Sequence, residues 1–229
     1  MTWFQAIYAV ASHSNGISAL QLQAQLGVGS YKTAWLMLQK LRRAMIDPDR
    51  SLLEDVVEVD ESDIPYRTKS DPVAGGQGRS AVGKMHIIGA IELSPDGRPR
   101  RIRLVPLADF TATSIRGFVT GAVTPGATLL SDCFSGYRGL TGFTHRPKVV
   151  GSMAAHVLLP WIHRVFANFK RWALGTYHGV RKPHLRRYLE EFVFRWNRRR
   201  HMKSSFDMLI DIATRLPHAG YREFVAQRV

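Results

Sequence analysis

Cysteine is nearly absent from this sequence: Cys133 is the single thiol in 229 residues. One thiol excludes an intramolecular disulfide framework and a CxxC-type zinc ribbon within the chain. Acidic residues are scarce as well, 18 Asp and Glu against 32 Lys and Arg, for a net charge of +14. Such a balance attracts a polyanion, either nucleic acid or an anionic membrane surface. No apolar run reaches the roughly 18 to 20 residues needed to cross a bilayer. The apolar stretch Trp3 to Ala11 has no basic residue before it and no small-residue cleavage pattern after it, so it reads as a helix and not as a signal peptide. A cytosolic location is expected. With 45% hydrophobic residues the chain can bury a sizeable core, which excludes a disordered tail.

Residues 2 to 45 read as helical. Trp3, Ile7, Val10 and Ala11 mark a first helix, which Ser14-Asn15-Gly16 breaks. Ser18 is placed to cap a short helix carrying Leu20, Leu22 and Leu26, and Gly27-Val28-Gly29 supplies a tight turn. Ser30 is placed to cap a third helix running to about Met45, with Ala34, Leu38, Leu41 and Met45 on one side and Lys32, Gln39, Lys40 and Arg43 elsewhere. Helix, short turn, basic helix is the helix-turn-helix outline, read here as an all-helical DNA-binding domain over residues 1–46. An ordinary helical cap is the plainer alternative. Asp47-Pro48-Asp49 stops the third helix, because proline disfavours the helical conformation in the residue before it.

From Val56 the apolar period becomes two. Val57, Val59 and Ile64 alternate with Glu58, Asp60 and others as in a half-buried strand. Residues 67 to 83 hold Gly75-Gly76-Gln77-Gly78 with Arg67, Lys69 and Arg79 and read as a loop. They match no GxxxxGK[ST] pattern, which leaves a phosphate-cradling loop as the minor reading. Met85 to Leu93 and Arg101 to Leu107 are further strands around a turn at Pro95-Asp96-Gly97-Arg98, an antiparallel meander. Thr111 or Thr113 caps a helix through Phe118 and Val119, Ala127 to Cys133 is a fourth strand, and a fifth lies between Gly142 and Val150 after a second helix. That succession is the order of an RNase H-like core, an α/β fold with a mixed sheet flanked by helices, expected over residues 55–216.

After residue 155 the pattern is helical again. Pro160 belongs in the first turn of a helix to about Leu174, since an interior proline costs roughly 3 kcal/mol. Leu158, Trp161, Val165, Phe169 and Trp172 are expected on its apolar side, leaving His163, Arg164, Ala167, Lys170 and Arg171 on a cationic face. A helix from about Pro183 to Arg200 carries a core-facing stripe of Leu185, Tyr188, Leu189, Phe192, Val193 and Trp196, and a last helix covers about Ser204 to Arg215. Between Arg164 and Lys203 twelve Lys or Arg stand against Glu190 and Glu191, a local balance of 12 − 2 = +10. Such basic C-terminal helices suit a phosphate backbone. The alternative is that their long stems merely solvate two helices.

Two aspartates end expected strands: Asp60 in Val57-Glu58-Val59-Asp60-Glu61 and Asp132 in Leu129-Leu130-Ser131-Asp132-Cys133. Carboxylates gathered at neighbouring strand ends can hold hard divalent cations through oxygen, whereas a single strand-ending Asp is commonly a turn or cap residue. Glu58 and Asp60, two apart, point to one face of the strand and Glu61 to the other. His145, His156, His163, His178 and His184 are scattered without the spacing of a structural zinc site. Cys133 has no assigned base partner for a nucleophilic role.

Five motifs then occur in one order: Gly16-Ile17-Ser18-Ala19 to Lys32-Thr33-Ala34-Trp35; Val57 to Glu61; Ser131-Asp132 to Gly136-Tyr137; Lys170-Arg171 to Gly175-Thr176-Tyr177-His178; and His184 through Glu190-Glu191-Phe192 to Arg195-Trp196-Asn197-Arg198-Arg199. Together they resemble the ISXO-like branch of the DDE-type insertion-sequence transposases, from about Trp3 to Leu216. The resemblance implies an enzyme that cleaves DNA and transfers strands at transposon ends with Mg²⁺ or Mn²⁺. It implies metal-binding aspartates at Asp60 and Asp132, and a third metal position at His163, seven residues before Lys170, which would contact DNA. Seven residues return a helix to within about 20° of its starting direction, so His163 and Lys170 share a face.

Imidazole in place of a carboxylate favours Mn²⁺ over Mg²⁺, and leaves Glu61, Glu58 or Asp63 open as a further ligand. DNA contacts are expected at Lys32, Lys40, Arg43, Arg164, Lys170, Arg171, Arg198 and Arg199. The implied partners are double-stranded DNA, both terminal inverted repeats and target, and a second copy of the chain in a homodimer or higher oligomer, within a bacterial nucleoid and away from membranes. Relatives commonly begin with a zinc-ribbon segment. This sequence opens at Met1 beside the first helix, so a form without the ribbon is expected. Ser62-Asp63-Ile64-Pro65 stands where relatives usually carry an aromatic residue and glycines. The competing reading is a truncated or catalytically silent, transposase-derived DNA-binding protein.

Overall fold

The computed structural model describes residues 1–65, 83–148 and 155–225, apart from the side chains of 155, 156, 202 and 203. The glycine-rich stretch with Arg67, Lys69 and Arg79, the side chain of His156, and residues 149–150 of the expected fifth strand lie outside the described residues.

One sheet contains β1 (Val56–Pro65), β2 (Lys84–Leu93), β3 (Pro99–Pro106), β4 (Thr128–Asp132) and β5 (Thr144–Lys148), in the order β3-β2-β1-β4-β5. β1, β2 and β3 pair antiparallel. The turn between β2 and β3 places Gly97 at φ 74, a left-handed conformation that suits glycine. β4 then pairs parallel to β1, and β5 parallel to β4. Parallel pairing requires a crossover, which α4 (Ala112–Ala122) supplies. Thr111 Oγ1 caps it, accepting the Ser114 N–H at 3.3 Å. A meander, a crossover helix and two parallel strands make the sheet RNase H-like.

Between β4 and β5 the expected helix is replaced by one 3₁₀ turn, Ser135–Tyr137. Gly139 and Gly142 follow it at φ 74 and 85, which a continuing helix does not admit.

β1 directs Val57 and Val59 into a core with Ile88, Ala90, Ile115, Phe118 and Val119 on the α4 side. Its other face meets α6 (Pro160–Tyr177), which the short α5 (Ala155–Leu158) precedes. Ile162, Val165, Phe166 and Phe169 are the buried residues of α6 in this unit, not the expected set containing Leu158, Trp161 and Trp172. The two indoles have other work: Trp161 Nε1 donates to the Gly97 carbonyl at 3.0 Å, and Trp172 packs against the rings of Tyr177, Tyr188 and Phe192.

Contacts divide the chain into a sheet unit, residues 50–171, and a helical unit that joins 1–49 to 172–229. The C-terminal helices, expected with residues 55–216, are grouped by these contacts with the N-terminal helices. In the helical unit α1 (Thr2–Ser12), α2 (Ala19–Leu26) and α3 (Tyr31–Ala44) share a core with Phe194 of α7 (Leu185–Asn197) and with Leu209 and Ile212 of α8 (Met202–Arg215). A last short helix, α9, covers Tyr221–Val225. Ser18 caps α2 as expected, accepting the Gln21 N–H at 3.2 Å, while Ser30 stands at the N-cap position of α3 without a side-chain cap bond.

A buried polar hub links these helices. Glu191 accepts from Arg42 Nε at 2.7 Å, from Arg195 Nη2 at 2.8 Å and from the Tyr177 hydroxyl at 3.0 Å. Burial alone would raise the Glu191 pKa, but Arg42 and Arg195 outweigh it and hold the carboxyl below its ordinary range. Gly16 closes over the hub at φ 77, where a Cβ would lie 2.7 Å from the Tyr177 hydroxyl.

Candidate functional site

Three successive same-face residues of β1 each meet α6. Glu58, 2% exposed, accepts the N–H groups of Trp161 at 3.0 Å and Ile162 at 2.8 Å on one carboxylate oxygen. These are donors that the first turn of a helix leaves without intrahelical partners. Asp60 Oδ2 lies 3.3 Å from His163 Nε2. Ser62 Oγ accepts from Lys170 Nζ at 2.9 Å. The period of two in the strand and the seven-residue return in the helix thus bring His163 and Lys170 down on one row of side chains. Burial raises the Glu58 pKa, with the two helix N–H groups and Lys148 offsetting part of the rise. Burial lowers the Lys170 pKa, and Asp63 opposes it.

Asp132 ends the neighbouring strand. The paired positions of parallel β1 and β4 run from Val56–Thr128 to Glu58–Leu130. Asp60 and Asp132 therefore each stand two residues past the last pair, on strands about 4.8 Å apart. Asp60 Oδ1 accepts the Glu61 N–H and Asp132 Oδ1 the Phe134 N–H, both at 2.9 Å. The bond at Asp132 also makes it the turn residue that the plainer sequence reading allows.

Tyr137, which the sequence motifs contain without marking it as a site residue, is 1% exposed. Its phenol is raised well above its ordinary pKa, first by burial and then by Glu61, Asp60 and Asp132. A lone Tyr after Gly has no local signature that would announce this.

The structure brings Asp60 and His163 together. Among the described residues no group of three or more His, Cys, Asp or Glu side chains meets in a metal-holding arrangement, so Asp132 is not drawn into that contact. Two ligands bound to one divalent ion at about 2.1 Å stand roughly 3 Å apart. The Asp60–His163 pair, at 3.3 Å, fits that span, and one oxygen plus one imidazole nitrogen suits Mn²⁺.

The cations fall into two groups. Arg164, Lys170 and Arg171 are exposed on α6, Arg164 lying 4.7 Å from the Trp161 ring centre. In the helical unit Lys32 and Arg199 are exposed, Lys40 lies over Trp3 at 5.8 Å, and Arg43 donates to the Pro217 carbonyl at 3.3 Å. Arg198 is engaged internally, 3.2 Å from Asp47 and 4.4 Å from the Phe194 ring centre.

Sheet order, acidic strand ends and a cationic helix across one face define an RNase H-like domain of the transposase type. Residues 52–197 match the ISXO2-like transposase domain, and the chain belongs to that family. Among solved structures it is similar to a pre-cleavage Mos1 transpososome, with TM-score 0.37 and 13% identity over 93% of this chain and 79% of that chain. It is similar also to the Mos1 strand transfer complex, with TM-score 0.40 and 11% identity over 93% of this chain and 75% of that one. For the Mos1 transposase paired-end complex with left transposon end the values are 0.40 and 12%, over 92% and 78%. No match is found among curated proteins.

Proposed function

We propose that this protein is a metal-dependent DNA transposase that cleaves strands at transposon ends and transfers them to a target, with water and then the freed 3′-hydroxyl as nucleophiles. The observation that carries the reading is the 3.3 Å approach of His163 Nε2 to Asp60 Oδ2, at the sheet end where Asp132 terminates the adjacent strand. Family membership supports it. Asp60 and Asp132 would supply oxygen donors, and His163 a neutral nitrogen donor. Divalent ions held there supply activation of the attacking oxygen and stabilisation of the leaving one. Lys170, steadied by Ser62, offers a point charge to a phosphate. Arg164 and Arg171 extend that charge along α6.

In the same reading the helix-turn-helix of residues 1–46 contacts DNA through Lys32, Lys40 and Arg43, with Arg198 and Arg199 as further basic positions, and residues 55–216 carry the reaction. Joining two ends calls for two copies of the chain. In this reading the protein works on the DNA of a bacterial nucleoid.

A second reading, a silent DNA-binding derivative, is favoured by the lack of a three-ligand group among the described residues. Incubating a duplex that contains the element's end with Mn²⁺ separates the two. The enzyme reading expects cleavage that Asp60→Asn and Asp132→Asn each abolish. Equal backgrounds from wild type and both variants, with binding retained, leave only the silent protein.

A further inference from the structure

The helical unit holds a cavity whose chemistry the strand-cleaving reading does not use. Its volume is about 600 Å³, and its lining includes Tyr31, Lys32, Trp35, Arg181, His184 and Tyr221. That size is within the roughly 300–1,000 Å³ of ligand pockets. The walls are aromatic: the Trp35 ring meets His184 at 5.5 Å and Tyr221 at 6.0 Å between centroids. Tyr31 and Tyr221 remain 48% and 44% exposed, much more than side chains kept for core packing. Among the described residues that line it there is no Asp or Glu, while Lys32 and Arg181 are present.

The electrostatics point the same way. His184 is held below its ordinary pKa by burial and then by Arg187, Arg42 and Arg181. The nearby carboxylate of Glu191 is already shared by Arg42, Arg195 and Tyr177, so the surplus of positive charge favours an anion. The His184 ring forms part of the cavity wall, with its Nδ1 turned into the protein. An occupant of a strand-binding chain that offers a flat π-face and a negative charge together is a nucleotide.

We propose that this cavity takes one unstacked nucleotide of a DNA strand, its base against Trp35 and Tyr221 and its phosphate toward Lys32 and Arg181. The inference rests on the DNA reading above and deepens it.

The test compares fluorescein-labelled dT12 with a twelve-unit abasic sugar-phosphate strand, by anisotropy on the full chain. Base stacking on aromatics is expected to make dT12 bind at least about tenfold more tightly. Trp35→Leu should remove that difference, and Trp35→Phe should keep it. Equal binding of the two strands by wild type, or a difference that survives Trp35→Leu, overturns the proposal. Thymidine monophosphate competing as well as dT12 overturns the strand as the source. Because Trp35→Leu could also disturb packing, wild-type protein is photo-cross-linked to a 5-iodouracil strand. Adducts at Tyr31, Trp35 or Tyr221 support the cavity, and adducts only elsewhere overturn it. Absence of duplex binding by the wild-type chain would sink the DNA reading itself, whereas wild-type duplex binding without the base-dependent difference sinks the cavity alone.

Discussion

Asp60 and Gly89 stand directly opposite each other on β1 and β2, and Gly89 lacks a side chain where α6 leaves no room for one. A Cβ at residue 89 would lie 2.6 Å from Leu104, 2.9 Å from Phe166 and 3.0 Å from Ile162. The depth at which α6 rests on the sheet, and with it the reach of His163 to Asp60, is therefore set by a residue with no chemistry of its own. Gly89→Ala is expected to fold with a loss of about 1–3 kcal/mol, the usual cost of overpacking, and to lower Mn²⁺-dependent cleavage. Urea denaturation read beside a cleavage assay checks this, and unchanged cleavage in a destabilised variant would separate helix depth from activity.

His163 is the residue that should decide the metal. Replacing its imidazole by a carboxylate adds an oxygen donor and a negative charge, both of which suit Mg²⁺. His163→Glu is expected to raise the ratio of Mg²⁺- to Mn²⁺-supported cleavage, and His163→Ala to reduce cleavage with either ion. A ratio that does not move in the Glu variant removes His163 from the ligand set.

Glu58 is a structural carboxylate. Glu58→Ala takes away the acceptor for two helix N–H groups and is expected to cost about 1–3 kcal/mol, while Glu58→Gln keeps an acceptor oxygen. Burial raises the folded-state pKa of Glu58 above 4.5, so the folded chain binds this proton more tightly than the unfolded one. Its contribution is then fullest below the ordinary carboxylate value and declines as pH rises through the folded value. Stability curves from pH 4 to 7 should fall less steeply for Glu58→Gln than for wild type, and parallel curves would contradict the assignment.

Glu191 should behave with the opposite sign. Its folded pKa lies below 4.5, so its stabilisation is present above that value and is lost as pH falls through the lowered one. Glu191→Gln should flatten the acid limb of the stability curve. Glu191→Ala, which leaves Arg42 buried without its carboxylate, is expected to cost about 3–5 kcal/mol. Circular dichroism during acid titration distinguishes the two variants from wild type.

Features governed by local rules are legible in the sequence. Alternation at Val57 and Val59 reads as β1, and Ser18 and Thr111 read as caps, because each signal is complete within a few residues. The Asp60–His163 contact is another matter: the two residues are far apart in the chain, and His163 is singled out only through the family resemblance. Hydrophobicity ranks Trp161 and Trp172 as core, yet Ile162 and Phe166 do that packing, because the space above Gly89 admits them and the indoles have polar or aromatic partners at the rim. Glu191 counts in the sequence as one of two acids beside twelve cations. Its partner Arg42 lies 149 residues away, beyond any periodicity.

The row formed by Glu58, Asp60 and Ser62 also bears on how this gene can change. Each of the three meets α6 through a different contact, and all three share one side of β1. Deleting or inserting a single codon early in the strand would turn the row over at a stroke, moving valines to α6 and carboxylates toward α4. Exchange of individual letters can erode one contact at a time, whereas a change in letter count would erase all three in one generation.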